Sequence, residues 1–255
     1  MRKANAFYLT LPSNSSMKYF PSNTLTNYTT KLQNRVELDT NKWEMALVEV
    51  HYPYSILNIT RFNNYIQYKS MDDVKWNELR ISEGYYASIN SIVAEINKYS
   101  ETLNFSLRNH PAYKHVTVDI STKQRNINVR LSPQLARILG FKPTDDLSEV
   151  KIGRSPPNVV REIPSQMYIY TDIAESHMVG DAVAPLLRII NINPMEHTFG
   201  SDGVQIFDSP HYIPVQKHNF EQIEIDLRDS TGAHIPFSFG LVCLKLHFRR
   251  CGEKL

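Results

Sequence analysis

Hydrophobic and polar residues alternate near the start of the chain, and this period of two predicts half-buried β-strands. One strand is predicted from Ala6 to Leu11 and a second from Tyr28 to Leu38. The stretch from Trp43 to Tyr52 is apolar on both faces, which is typical of a central strand covered on both sides. Pro53 is predicted to end this third strand.

The same strand pattern returns in the last third of the chain. Late strands are predicted at Gln166 to Ile173, Leu186 to Ile192, Phe220 to Leu227 and Phe239 to Phe248, and a short earlier one at Ser55 to Ile59. Asp202-Gly203 is typical of a turn. Three early strands, the short one and four late ones make eight, the number found in a jelly roll. Periodicity alone does not give their pairing order.

The middle of the chain has a different pattern, because helices are predicted there beside strands. Strands at Tyr65 to Tyr68 and Trp76 to Ile81 precede a helix whose apolar residues Ile89, Ile92, Val93 and Ile96 follow Ser88 as N-cap. Val116 to Ile120 and Ile127 to Leu131 are predicted to pair as a hairpin, and a short helix is predicted between Ser132-Pro133 and Gly140. Residues 143–165 are polar and rich in Pro and Ser.

These elements predict an all-β-dominated chain, a single jelly-roll β-sandwich with a small α+β insertion. The sandwich is assigned residues 1–60 and 143–255, and the insertion residues 61–142. We expect the insertion to project as an outer or lateral subdomain.

Composition excludes several classes of protein. The 28 Lys and Arg residues nearly balance the 26 Asp and Glu residues, so the formal charge of +2 creates no global field that attracts nucleic acid. The most apolar stretch, Ala182 to Ile192, is interrupted by Pro185 and Arg188, and no membrane span or secretion signal is expected. Cys243 and Cys251 lie roughly 26 Å apart if the chain between them is extended, so reduced thiols in an intracellular setting are expected.

No catalytic constellation, cofactor motif or metal motif is present in the sequence. The nine histidines form no His-Glu-x-x-His pattern, and there is no Gly-x-Ser-x-Gly elbow or Walker-type Gly-Lys-Ser/Thr. The nearest approach to a metal set is Glu175, His177, Glu196 and His197, which we interpret as loop residues at strand ends. The acidic pairs Asp72-Asp73 and Asp145-Asp146 are interpreted as solvated loop carboxylates, because adjacent extended residues point to opposite faces. The chain is therefore predicted not to be an enzyme and to need no cofactor.

Two sets of residues are candidates for binding. Arg2, Lys3, Arg249 and Arg250 would form a basic spot if both ends of the chain emerge on one side, giving weak, salt-dependent contact with the phosphates of a nucleic acid. The alternative interpretation of Arg249 and Arg250 is an ordinary solubilising tail. Tyr85, Tyr86 and Tyr212 are candidate interface aromatics, since tyrosine is enriched at subunit contacts.

Several short blocks, in a fixed order, carry a family resemblance. They are Phe7 to Ser16, Tyr19 to Thr24, Trp43 to Val50, Glu83 to Tyr86, Leu139 to Phe141, Tyr170 to Ile173, Val179 to Asp181 and Pro185 to Arg188. In these blocks the chain resembles the minor capsid (penton) proteins of Polinton, or Maverick, elements over nearly its whole length. The resemblance implies a jelly-roll fold, a homopentamer at the fivefold vertices of an icosahedral capsid, and contact with a double jelly-roll major capsid protein. It also implies a place in the virion capsid, after assembly in the cytoplasm or nucleus of a host cell.

Two other functions remain open from the sequence. One is a carbohydrate- or receptor-binding jelly roll in which Tyr85, Tyr86 and Tyr212 stack on a sugar. The other is a metal-dependent enzyme on a cupin-like barrel, which needs two or three histidines and a carboxylate that meet inside the barrel. Alternating strand positions offer no such cluster.

Overall fold

The chain forms two compact units, one discontinuous and one continuous. The computed structural model describes residues 5–70, 73–103, 105–120, 127–193 and 198–252. The first unit draws its described residues from 1–56 and 164–255, and the second from 57–163.

Strands dominate both units, and the helices lie in the second. In chain order the elements are β1 (Ala6–Pro12), β2 (Asn27–Glu37), β3 (Trp43–Pro53), β4 (Tyr65–Ser70), β5 (Asn77–Arg80), α1 (Ile89–Asn97), α2 (Ser100–Leu103), β6 (Phe105–His110), β7 (His115–Ile120), β8 (Ile127–Leu131), α3 (Pro133–Leu139), β9 (Lys151–Ile152), β10 (Gln166–Thr171), β11 (His177–Val179), β12 (Ala182–Ala184), β13 (Leu186–Asn191), β14 (Asp202–Ile206), β15 (Ile213–Pro214), β16 (Asn219–Arg228) and β17 (Cys243–Arg250).

The first unit is a jelly roll of two antiparallel sheets. One sheet has the order β1-β17-β3-β14, with β15 also paired to β3, and the other has the order β13-β10-β16-β2. In chain order the eight main strands of these two sheets are β1, β2, β3, β10, β13, β14, β16 and β17. Each consecutive pair lies in opposite sheets except β10 and β13, which are neighbours in one sheet. This order confirms the predicted fold class, which periodicity alone had left without a topology.

The core of the sandwich lies between the inner faces of these two sheets. The Tyr28 hydroxyl on β2 donates to the Leu11 carbonyl on β1 at 3.0 Å, which ties the sheets together. The rings of Phe220 and Phe248, one from each sheet, lie 6.3 Å apart. Other fully buried members are Met45, Leu47, Val50, Met167, Ile169, Ile223, Ile225, Leu227, Leu244 and Leu246. Alternation along each strand explains this core, since every second side chain faces the opposite sheet.

The eighth strand of the sandwich differs from the sequence prediction. Residues Ser55 to Ile59 form only isolated bridges, whereas Asp202-Gly203, predicted as a turn, begins β14. Gly203 pairs with Tyr52 on β3, and this close approach explains why a glycine lies inside a strand. The last strand also begins later than predicted, at Cys243.

The second unit contains two three-stranded sheets and the three helices around its own core. The sheet orders are β5-β4-β8 and β6-β7-β9. Helix α1 is capped by Ser88, as predicted, and α3 begins after Ser132 and ends at Gly140, whose φ of 88° suits a glycine C-cap. The predicted hairpin of Val116 to Ile120 with Ile127 to Leu131 is wrong, because β7 pairs with β6 and β9 while β8 pairs with β4.

Residues 143–163 pack within the second unit, although the sequence assigned them to the sandwich. The Leu147 amide donates to Val129, the Gly153 amide to Val116 and the Asn158 amide to Ile138. Backbone hydrogen bonds of this kind are not visible in a polar, proline-rich sequence. The second unit therefore spans residues 57–163 and is longer than the predicted insertion of residues 61–142.

Candidate functional site

The most distinctive surface of the sandwich is the solvent side of the β1-β17-β3-β14 sheet. Because Leu244, Leu246 and Phe248 face the core, strand alternation places Lys245, His247 and Arg249 on the other side. We call this surface the outer face, formed by Tyr8, Glu44, Glu49, His51, Val204, Ile206, Tyr212, Lys245, His247 and Arg249.

His247 lies at the centre of an aromatic and charged network on the outer face. The ring of Tyr8 stacks on it at 4.4 Å, and the Tyr212 hydroxyl lies 2.7 Å from its Nδ1. The Arg249 guanidinium carbon lies 3.4 Å from the centre of the Tyr212 ring, and Arg249 Nε donates to Glu44 Oε1 at 2.6 Å. Burial, and secondarily the charge of Arg249, lowers the pKa of His247. Neutral His247 can then accept a hydrogen bond at Nδ1 from the Tyr212 hydroxyl.

A second row of charges continues across the same face. Lys245 Nζ donates to Glu49 Oε2 at 3.3 Å, and Glu49 Oε1 lies 2.6 Å from His51 Nε2. The hydrogen bond from His51, followed by that from Lys245, holds the pKa of Glu49 below its usual range. Lys245 and Glu49 are cross-strand neighbours, as are Arg249 and Glu44, so sheet register places these charges in contact.

Apolar side chains are exposed along the free edge of this sheet. Val204 and Ile206 on β14 are 52% and 66% exposed and point to the outer face opposite His51 and Glu49. Among the described strands, β14 has β3 as its only partner. An exposed apolar edge strand is a template for contact with another chain.

A small hairpin formed by β11 and β12 carries a second exposed apolar pair. Met178 lies directly opposite Val183, and these side chains are 76% and 71% exposed. Gly180 turns the chain with a φ of 65°. A two-stranded hairpin is marginal by itself in water, so two large exposed apolar side chains on it indicate a protein contact.

A groove of about 660 Å³ lies beside the base of this hairpin. It is lined by Glu175, Ser176, His177, Leu186, Leu187, Arg188, Ile189, His211, Tyr212, Ile213 and Pro214. The Arg188 guanidinium carbon lies 3.6 Å from the centre of the Phe207 ring. Its Nη1 makes no hydrogen bond within the described part of the chain, and burial lowers the pKa of the guanidinium.

The structure brings two of the predicted site residues together and separates the others. Tyr212 and Arg249 are in direct contact, and the guanidinium over Tyr212 covers a ring face that a sugar would need for stacking. Arg250 Nη2 donates to Asp39 Oδ2 at 2.8 Å. Both arginines thus lie within β17, paired with carboxylates, and the interpretation of these two residues as a tail is wrong. Arg2 and Lys3 lie outside the described residues.

The other two predicted aromatics, Tyr85 and Tyr86, belong to the second unit. The Tyr86 hydroxyl donates to the Ser82 carbonyl at 2.8 Å, and its backbone amide donates to Asn58 Oδ1 at 2.9 Å. Its ring packs against the core of that unit. Tyr85 is half-buried. Tyr86 therefore has an evident structural role in its own unit.

The described residues do not bring metal-ligating side chains together in groups of three that could hold a metal ion. Glu175 and His177 line the groove, whereas Glu196 and His197 lie outside the described ranges. None of the helices in the described ranges has the length and apolarity needed to cross a membrane.

Asp145 corrects the prediction of a solvated carboxylate. Its side chain is buried, accepts from the Lys142 amide at 2.9 Å, and lies 3.4 Å from Lys151 Nζ and 3.8 Å from Arg154 Nη2. Burial raises the pKa of Asp145, but the hydrogen bond and the two cations outweigh it, so the net pKa is below its usual value. Asp145 therefore holds a loop together.

Several residues of the candidate surfaces were not predicted from the sequence, because their proximity depends on the order of the strands in the sheet. Tyr8 and His247 lie at opposite ends of the sequence and become neighbours only because β1 pairs with β17. The period of two in β17 places His247 opposite to Leu246 and Phe248, and this was the only signal available in the sequence. In the sequence, Met178 and Val183 could be noticed only as hydrophobic residues on either side of Gly180-Asp181.

The fold defines a single jelly-roll protein with an α+β insertion between the third and fourth strands of its sandwich. A mavirus penton protein has the same fold, with 12% sequence identity and a TM-score of 0.54 over 97% of this chain and 100% of that one. A chain in a cryo-EM structure of the Sputnik virophage is also similar, at 8% identity and a TM-score of 0.51, over 97% of this chain and 98% of that one. At such identities the likeness shows a shared fold. No protein-family model and no curated protein sequence matches the chain.

Proposed function

We propose that this protein is a penton subunit, a structural protein of which five copies assemble at each fivefold vertex of an icosahedral capsid. The observation that carries the proposal is the full-length likeness to the mavirus penton protein, which includes the sandwich and the insertion in one chain. The sequence blocks that resemble Polinton penton proteins support it independently. A non-enzymatic role agrees with a surface built from ion pairs and exposed apolar groups.

A ring of five subunits requires two different, complementary surfaces on each copy, because every contact is repeated by rotation. The apolar hairpin pair Met178 and Val183 and the exposed edge residues Val204 and Ile206 are candidates for one of these surfaces. A stable contact buries about 1,200–2,000 Å² in total, which requires a broad side of the sandwich and not the hairpin alone.

The proposed partners are further copies of this chain and a double jelly-roll major capsid protein. The proposed location is the virion capsid, with assembly inside a host cell. Contact of the chain termini with packaged DNA has less support, because Arg249 and Arg250 are ion-paired with Glu44 and Asp39. A paired arginine offers a phosphate less net charge than a free one.

The oligomeric state of the purified chain tests the proposal. Native mass spectrometry and light scattering are expected to show a species at five times the 29.5 kDa of one chain, and negative-stain images a ring with fivefold symmetry. Adding the major capsid protein of the same particle is expected to stabilise that ring. A chain that stays monomeric at high concentration, both alone and with the major capsid protein, would contradict the proposal.

A further inference from the structure

The β5-β4-β8 sheet of the second unit has one face in the core and one face turned away from it. Ile66, Leu79, Val129 and Leu131 belong to the core of the unit. Strand alternation therefore places the intervening residues on the opposite face. These are Tyr65, Gln67, Lys69, Glu78, Arg80, Asn128 and Arg130, and Trp76 joins them immediately before β5.

Trp76 holds two cations on this face. The Arg130 guanidinium carbon lies 4.6 Å from the centre of a Trp76 ring, and Lys69 Nζ lies 5.2 Å from it. Arg130 is on β8, and Trp76 precedes β5 on the far side of β4, so the guanidinium extends across the central strand. Contact with a ring face positions a cation without using its N–H donors.

The charges of Lys69 and Arg130 are not neutralised by the described residues. No carboxylate in the described part of the chain forms an ion pair with either of them. Arg80, on the same face, differs because its Nη2 lies 2.7 Å from Glu78 Oε1. The face therefore presents two positioned cations that have no ion-pair partner among the described residues, with one compensated pair, Arg80 and Glu78, beside them.

We infer that this cationic face, formed by Gln67, Lys69, Trp76, Asn128 and Arg130, binds a sulfated polysaccharide. Arg130 and Lys69 would contact the sulfate groups, because charge-assisted hydrogen bonds to an oxyanion are the strong ones at an exposed surface. Gln67 lies opposite Arg130 and Asn128 lies opposite Lys69, so amide groups flank both cations and can contact sugar hydroxyls. The inference does not depend on pentamer formation and adds a ligand to the proposed capsid role.

The same face is poorly suited to single-stranded nucleic acid. Proteins bind such strands by stacking bases on open aromatic rings within a positive groove. Here Arg130 and Lys69 lie against Trp76, and the Arg80 guanidinium carbon lies 5.8 Å from the centre of the Tyr65 ring. A sulfated sugar needs the cations themselves and not the rings beneath them.

Binding of a defined heparin oligosaccharide to the intact protein tests the inference. Isothermal titration calorimetry at low ionic strength is expected to show binding that weakens as salt is added. Lys69→Gln combined with Arg130→Gln is expected to weaken it by about tenfold or more, the loss expected for two charge-assisted contacts. Exchanging the two cations, Lys69→Arg with Arg130→Lys, is expected to retain binding, since both charges remain.

The matched control is Lys31→Gln with Arg35→Gln on β2 of the sandwich. It removes the same charge, and Lys31 also lies over an aromatic ring, that of Tyr19, at 4.4 Å. This control is expected to bind heparin as the unaltered protein does. Thermal unfolding of each variant, monitored by circular dichroism, identifies any loss of binding that is caused by loss of structure.

Four results would overturn the inference. The first is that the unaltered protein does not bind heparin, and the second is that the β2 control weakens heparin binding as much as the Lys69 and Arg130 changes do. The third is that fully desulfated heparin binds as tightly as heparin. The fourth is that a single-stranded DNA oligonucleotide binds as tightly as heparin and loses affinity when Lys69 and Arg130 are changed. The last result would make nucleic acid the ligand. Because all residues of this face belong to one chain, heparin binding by the monomer is measured separately from the test of oligomeric state.

Discussion

Gly203 is a residue at which the sandwich tolerates little added volume. A Cβ at this position would lie 2.6 Å from Cζ of Tyr52, the residue that pairs with it across the sheet. Gly203→Ala is expected to lower the free energy of unfolding by about 1–3 kcal/mol, the usual cost of overpacking. Urea denaturation followed by Trp43 fluorescence, in a Trp76→Phe background, measures this change for the first unit.

Gly84→Ala, in the second unit, is the control for that substitution, and its urea denaturation is followed by circular dichroism because Trp43 lies in the first unit. The nearest atom to its added Cβ is a ring carbon of Tyr86 at 4.0 Å, so little strain is expected. If Gly203→Ala and Gly84→Ala changed stability equally little, the close contact between Gly203 and Tyr52 would be contradicted.

His247 is predicted to make the first unit sensitive to mild acid. Its pKa in the folded state is lowered from 6.5 by burial and by Arg249, so the unfolded chain takes up a proton more readily. Its contribution to stability is therefore complete above pH 6.5 and is lost as the pH falls from 6.5 toward the folded-state pKa. An NMR titration of the imidazole Cε1 proton is expected to give a value below 6.5.

Arg249→Gln provides the control for the titration. Removing this nearby cation is expected to move the pKa of His247 upward, although burial will keep it lowered. A His247 that titrates at or above 6.5 in the unaltered protein would contradict the geometry of the outer face.

At the level of elements, the β11-β12 hairpin is predicted to act in subunit association. Met178→Glu with Val183→Glu places like charges on an exposed apolar pair, so the monomer should remain folded while the proposed ring loses a contact. We expect a lower pentamer fraction by native mass spectrometry at equal concentration, with an unchanged melting temperature of the monomer.

The control for the hairpin introduces two glutamates at exposed apolar positions elsewhere. Val74→Glu with Val150→Glu alters two side chains of the second unit that are 93% and 71% exposed. If this control and the hairpin variant reduce the pentamer equally, or if neither does, the hairpin is not part of the ring contact.

The sequence predicted elements well where a local rule decides them. Alternation identified β1, a run that is apolar on both faces identified β3, and capping residues identified α1 and α3. Prediction from the sequence failed at β14. Asp202-Gly203 is typical of a turn, and the exposed Val204 and Ile206 do not indicate that this segment pairs with β3.

Pairing was the second failure, since it depends on distant residues. The strands β7 and β8 were predicted to form a hairpin, but β7 pairs with β6 after a short turn in which Lys114 has a φ of 53°. The candidate site was also predicted only in part, because its residues come from strands that are distant in the sequence. Tyr212 and Arg249 could be selected by residue type, whereas their neighbours His247 and Tyr8 could be recognised only from the order of strands in the sheet.

At the scale of the whole molecule, the second unit is predicted to fold by itself. Residues 57–163 have their own core, and the helix caps and sheet ladders of the unit are satisfied within it. Expressed alone, this segment is expected to unfold cooperatively in a thermal melt monitored by circular dichroism. A disordered spectrum, or a melt without a transition, would show that the segment depends on the sandwich.

The position of β17 between β1 and β3 governs when the sandwich can form during synthesis. Among the described strands, β1 pairs only with β17, and β17 follows the other described strands of the sandwich along the chain. The sheet therefore cannot close until translation has passed Arg250, and such distant pairing is intrinsically slow. A chain released before that point lacks the strand that joins β1 to β3, so β1 has no neighbour to pair with among the described strands of the sheet.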